Sequence, residues 1–197
     1  MKILMKSLTV ATIITIIFSM IPFSATCKNV SNQVFRLHIL ANSDSEADQN
    51  LKLKVRDAVL EYTESMYKSS DTLQKAEALT AENLQDIANV AQAQVYKSGY
   101  NYKVKAQIAK MYFNTRYYDK VTMPSGQYYA LRITIGSGEG HNWWCVMYPS
   151  LCVGASTDYN SLKEKTSEEE YDLLTKTQYQ YKFKVVEIFE KICSFFA

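Results

Sequence analysis

Apolar and polar residues alternate over residues 35–40: Phe35, Leu37 and Ile39 fall on one side, Arg36 and His38 on the other. A period of two predicts a half-buried strand. The polar run Asn42-Ser43-Asp44-Ser45 ends it. Ser43 with Glu46, or Ser45 with Asp48, has the spacing of a capping box, in which a serine oxygen accepts from an orphan N–H of the first helical turn. Asp44, Glu46 and Asp48 also set negative charge at the positive end of that helix's dipole. Behind the cap, Leu51, Val55, Ala58, Val59, Tyr62 and Met66 recur at helical spacing, with Lys52, Arg56 and Glu61 off the stripe. The pattern predicts a strand feeding a capped amphipathic helix.

A second helical region is expected over residues 73–97, with Leu84, Ile87, Ala88, Ala91 and Val95 on its apolar face and Gly99 as its C′ residue. From residue 100 the period returns to two. Tyr102, Val104, Ala106 and Ile108 alternate with lysines and Gln107; near Ala109 the phase slips, as at a bulge, and Met111 and Phe113 continue it. Met123-Pro124-Ser125-Gly126 signals a turn, and Tyr129, Leu131, Ile133 and Ile135 mark the next strand. The loop GSGEG, residues 136–140, leads into a strand over 142–148, and two strands joined by a short glycine-rich loop predict a hairpin. The loop has the letters of a phosphate-binding turn, but no Lys-Ser/Thr and no helix follows, so its glycines are read as supplying positive φ.

Residues 161–174 are charged and read as helical or mobile. Residues 178–185 alternate as one more strand, and Ile188, Phe189, Ile192 and Phe196 line one face of a short C-terminal helix. The expected fold class is α+β: an N-terminal strand and two helices packed on a mainly antiparallel sheet, with a C-terminal helix.

The first 27 residues change the picture. Lys2 and Lys6 precede an uncharged apolar run over residues 8–23, about 16 residues against the ~20 that usually span a bilayer. This is the pattern of a signal peptide or signal anchor, with cleavage near Ser24-Ala25-Thr26 preferred and membrane association through residues 8–23 as the other outcome. The expected division is residues 1–27 as that segment, 28–160 as an α+β domain and 161–197 as a helical and strand extension.

Charge and cysteine usage narrow the function classes. Twenty-two basic residues against twenty acidic give +2, and Lys2 and Lys6 account for the excess. A neutral body has no basic surplus to drive nucleic-acid binding. Cys27, Cys145, Cys152 and Cys193 form no CxxC pair, and with only His38 and His141 beside them no metal or cofactor site is expected. Cys145 and Cys152 bracket Pro149, which turns the chain back, and in an exported protein such a pair predicts a disulfide. The ring it closes contributes about 2.5 kcal/mol in the chain-entropy model. Trp143 and Trp144 are neighbours on a strand, so their rings point to opposite faces, one of them a candidate binding anchor beside the ring.

Two blocks, RLHILANSDSEADQ with LKLKVRDAV and GSGEGHNWWCVMYPSLC, together with residues 123–126 and 129–133, resemble the stage II sporulation protein R family. The resemblance runs from Phe35 to about Cys152. Tyr148 and Ser150 stand where the family commonly has Phe and Pro. It implies a protein made in the forespore and exported into the space between forespore and mother-cell membranes. There it would activate a membrane-embedded aspartic protease of the mother cell that processes pro-sigma-E. Such a chain is a protein ligand and not an enzyme, and the expected contact residues are Arg36, His38, Asn42, Asp44, Trp143 and Trp144. The alternative is an extracytoplasmic thiol hydrolase acting on the cell wall or a peptide, with Cys145 and His141 as its pair and His38 with Asp44 supplying the rest.

Overall fold

A computed structural model describes residues 2–68, 70, 72–118, 120–149 and 159–196; among these, the side chains at 2, 13, 16, 17, 68, 159–161, 178 and 189–196 are outside the description. In chain order the elements are α1 (Lys2–Ser31), β1 (Phe35–Leu40), α2 (Glu46–Lys68), α3 (Leu73–Glu82), α4 (Leu84–Lys97), β2 (Val104–Phe113), β3 (Arg116–Tyr118), β4 (Val121–Met123), β5 (Gly126–Ile135), β6 (Asn142–Tyr148), α5 (Tyr159–Lys165), α6 (Glu168–Thr175) and α7 (Gln180–Phe196). The α+β class read from the pattern is the class observed. The chain forms two compact units, one from residues 33–111 and 128–165, the other from 1–32, 112–127 and 166–197.

In the first of these units the sheet runs β2-β5-β1-β6. β1 lies parallel to β5, with Leu37 opposite Leu131 and His38 opposite Arg132. It lies antiparallel to β6, with Leu37 opposite Cys145 and His38 opposite Trp144. The hairpin expected between β5 and β6 is therefore absent, because β1 occupies the place between them. Residues 136–141 step over one strand, roughly 10 Å at the usual strand spacing, which six residues of chain span with ease.

A strand paired on both edges and covered on both faces is not half-buried. Arg36 is fully buried and His38 nearly so, alongside Phe35, Leu37 and Ile39. On one face, Leu37, Ile39, Leu131, Ile133, Ile135 and Cys145 pack with Leu51, Val55 and Val59 of α2 and Ile87, Ala91 and Val95 of α4, the stripes the sequence predicts. The expected second helix is two, broken at Asn83. Thr72 caps α3, and Gly99 (φ +84°) closes α4, with Tyr100 N–H returning to the Val95 carbonyl at 3.2 Å. Tyr67 on α2 meets the Thr80 hydroxyl of α3 at 2.8 Å, and burial pushes its phenol up to about 12.

The phase slip expected along β2 is found in its burial, which changes phase between Ile108 and Ala109. β2 runs unbroken, and Lys110 sits over the ring of Tyr129, which pairs in register with Phe35 of the helix-covered face. The side that is covered thus differs between the two ends of the strand. For the same reason Tyr129 is exposed while Tyr128, next to it, is fully buried.

The other unit joins α1, the β3–β4 hairpin, α6 and α7. Ser167 and Glu170 form a complete capping box on α6, so this charged stretch is helical. The strand expected over 178–185 is overturned: residues 177–179 form a 3-10 turn and α7 begins at Gln180. Phe183, Val186 and Glu187 are buried at helical spacing, while Tyr181 and Val185 face outward. No glycine or proline separates 178 from 196, and one long helix satisfies its backbone where a lone strand would need a partner edge.

Candidate functional site

The polar residues cluster where β1 gives way to α2, and the glycine loop is buckled over that junction. Of the two predicted cap registers, the structure uses the second: the Asp48 N–H donates to Ser45 Oγ at 3.2 Å. Ser43 turns its hydroxyl to Asp48 Oδ2 at 2.5 Å, and Asn42 Nδ2 donates to the same oxygen at 2.9 Å. Asp48 is buried, which favours the neutral acid, yet the bonds from Ser43, Asn42, Tyr102 and Ser45 outweigh burial and hold its carboxyl below the usual range.

The loop closes on this turn from above. Gly140 N–H donates to the Ala41 carbonyl at 3.0 Å. Ser137 donates through its N–H to Asn42 Oδ1 at 3.1 Å and through its hydroxyl to the Asn42 carbonyl at 2.7 Å. The His141 N–H and ring Nδ1 both meet Asp44 Oδ1 at 2.5 Å. Those bonds, the backbone one first, lower the Asp44 pKa against a small desolvation cost. Beneath, Lys52 Nζ donates to the His141 carbonyl at 3.0 Å and to Gln49 Oε1 at 2.5 Å. Lys52, off the apolar stripe of α2, is buried by this arrangement, and burial lowers its pKa.

The glycines are there for contact. A Cβ on Gly140 would stand 2.2 Å from the Ser43 carbonyl oxygen, and one on Gly136 (φ +60°) 2.2 Å from Asn42 Oδ1. The positive φ expected in this loop is found at Gly136 and Gly138.

The tryptophans do face opposite ways. Trp143 lies under the Arg56 guanidinium at 4.5 Å on the α2 side. Trp144 stacks on His38, centroids 4.1 Å apart and planes 13° from parallel. On that second face Arg36 lies over Tyr128 at 4.8 Å. Burial, then the charges of Arg132 and Arg36, bring His38 down to about 4, so the imidazole is neutral at pH 7.

The residues expected to make contacts thus divide by position. Asp44 is exposed, Asn42, Trp143 and Trp144 are half-buried, and Arg36 and His38 are interior. Cys145 is buried. Cys152 lies outside the described residues, as does the Cys193 side chain; Cys27 is buried. Ser137, Gln49 and Lys52 carry no motif. The signal that points to them is glycine density in a loop without phosphate-loop context, which implies close backbone approach.

The chain matches the family described as stage II sporulation protein R over residues 31–158. It is 36% identical over 140 residues to stage II sporulation protein R of Bacillus subtilis (strain 168), an alignment covering 71% of this chain and 62% of that protein. The chain thus spans less than two thirds of the length of this relative. No solved structure matches it.

Proposed function

The chain belongs to the stage II sporulation protein R family, and from that premise we propose that it is an exported signal that activates a membrane-embedded aspartic protease to process pro-sigma-E, with no reaction of its own. The family match carries this reading, since it takes in both the β1–α2 junction and the Trp-Trp-Cys strand. The buckle supports it. A ligand needs a rigid, specific surface, and here Asp44, His141 and Asn42 are fixed by bonds between segments almost a hundred residues apart.

The docking surface in this proposal is the exposed rim of the buckle with Trp144 beside it. Arg36 and His38 act from beneath, the imidazole holding the Trp144 ring. Cys145 pairs with Cys152 to fix the loop after β6. Switching the receptor requires tighter binding to its active state than to its inactive one. The test is deletion of this chain in sporangia of its own host and return of wild-type or Asp44→Ala protein, followed by cleavage of the sigma precursor. Restored cleavage with wild type and weakened cleavage with folded Asp44→Ala are expected. Normal precursor cleavage without the chain overturns the reading.

A further inference from the structure

The strongest feature outside the buckle is α1, whose two ends have opposite surroundings. Ile3, Leu4, Met5, Leu8, Phe18 and Ile21 are exposed. Their positions turn around the whole helix and not along one stripe, so no single protein face covers them. No charged residue falls between Lys6 and Lys28. The hydroxyls along this stretch are satisfied within the helix: Thr9, Thr12 and Thr15 each donate to the carbonyl four residues back at 2.9 Å, and Ser7 to Leu4 at 3.0 Å. Side chains of that kind leave nothing that hydrocarbon penalises. Among the described residues no helix is long and apolar enough to cross a membrane; the sequence adds Ile13, Ile16 and Ile17 to the middle of this one.

The other end is part of a protein core. Phe23, Cys27 and Val30 are buried. The Phe23 ring stands 5.2 Å from that of Phe183 and 6.1 Å from that of Tyr179, and Lys182 lies over it at 5.6 Å. The helix is continuous through Ser24-Ala25-Thr26, where Thr26 donates to the Pro22 carbonyl at 3.1 Å. Proteolytic nicking concentrates in exposed loops, and this segment is none. Cutting near residue 25 would remove Phe23 and uncover Phe183.

We propose that α1 is a retained lipid anchor: its exposed apolar stretch is inserted in the hydrocarbon of a bilayer, and its last turns, clamped by Phe23 against α7, belong to the folded unit. This runs against the cleavage favoured by the sequence pattern, and it stands apart from the signalling reading. The full chain, tagged at its C-terminus and produced in a secretory host, is examined by intact mass and by alkaline carbonate extraction of membranes. An uncut chain that stays in the carbonate-washed pellet is expected. A mature chain starting between residues 24 and 32 overturns retention, and an uncut chain released by carbonate overturns insertion. The clamp has its own readout. Phe23→Ala should speed tryptic cutting at Lys28 by about tenfold or more, through easier local opening; an unchanged rate overturns the clamp. A full-length product found cut between residues 24 and 32, or uncut but released by carbonate, that still supports precursor cleavage would sink this inference and leave the proposed function standing, whereas an uncut, inserted chain without signalling would do the reverse.

Discussion

Asp44 and His141 lie 97 positions apart, and one carboxylate oxygen of Asp44 receives both the backbone N–H and the ring nitrogen of His141. The pair is exposed, so its Coulombic part is screened by water and salt. What it fixes is the path of the glycine loop. Asp44→Ala should leave the global melting temperature nearly unchanged while amide exchange at Gly140 and His141 accelerates. Exchange rates in the loop identical to wild type would show that the contact holds nothing in place.

Gly140 tests the same closure sterically. It is absent from the positive-φ glycines, so alanine there meets no backbone strain, only the Ser43 carbonyl at 2.2 Å. Relieving that overlap requires lifting the loop off β1, at about 1–3 kcal/mol. Gly99→Ala is the opposite case, with open space around it and φ +84°. It should cost roughly 1 kcal/mol, the left-handed penalty alone. Chemical denaturation distinguishes them, and only Gly140→Ala should also disturb the resonances of Ser43 and Asp44.

His38 carries a pH dependence with a defined sign. Its folded pKa of about 4 lies below the unfolded value of 6.5, so the unfolded chain takes up the proton first. Stability is therefore full above pH 6.5 and falls as pH drops through 4, by about 3 kcal/mol in total. His38→Phe keeps an aromatic ring under Trp144 and removes the titration. Denaturation curves at pH 7 and pH 4.5 should converge for this variant and separate for wild type; an equal loss in both would assign the pH dependence to other groups. The Asp48 carboxyl, with its pKa lowered, adds a loss that sets in as pH falls through the ordinary carboxylate range and is complete below its own lowered pKa.

The local features of this fold were legible because local chemistry decides them. The Ser45 cap, the Leu51-Val55-Val59 stripe and the Gly99 stop follow from residues within one or two turns of each other. The insertion of β1 between β5 and β6 was not, since a short loop permits a hairpin or a one-strand step equally well and the deciding contacts are far apart in sequence. Arg36 and His38 were misplaced for a related reason. Polar residues alternating with apolar ones usually mark a wet face, and here aromatic rings of β5 and β6 cover them. Over 178–185 the aromatic spacing suits both periods, and only the unbroken continuation to residue 196 favours the helix. The rim of the site was half legible. Asn42 and Asp44 were marked by density of polar side chains, but their partners Ser137 and His141 sit beyond a loop whose role depends on the strand order.

Trp144 and Cys145 separate a ligand from an enzyme. Trp144 is half-buried with one ring face on His38, so truncation to alanine removes a large aromatic while its neighbours on β6 keep their pairing with β1. An aromatic anchor of this type contributes about 2 kcal/mol, roughly 30-fold in affinity. Trp144→Ala, verified as folded, should therefore signal weakly at native dose and recover with overproduction. With Cys145 paired to Cys152 as proposed, Cys145→Ser would only release a loop, and its defect should be equal or milder and likewise dose-dependent. A thiol nucleophile behaves otherwise: its serine variant still binds but is inactive at every dose. Titrating both variants against cleavage of the sigma precursor decides between them, because excess ligand restores occupancy and cannot restore a missing nucleophile. A folded Cys145→Ser protein that stays inactive at all doses would replace the signalling reading with the thiol hydrolase.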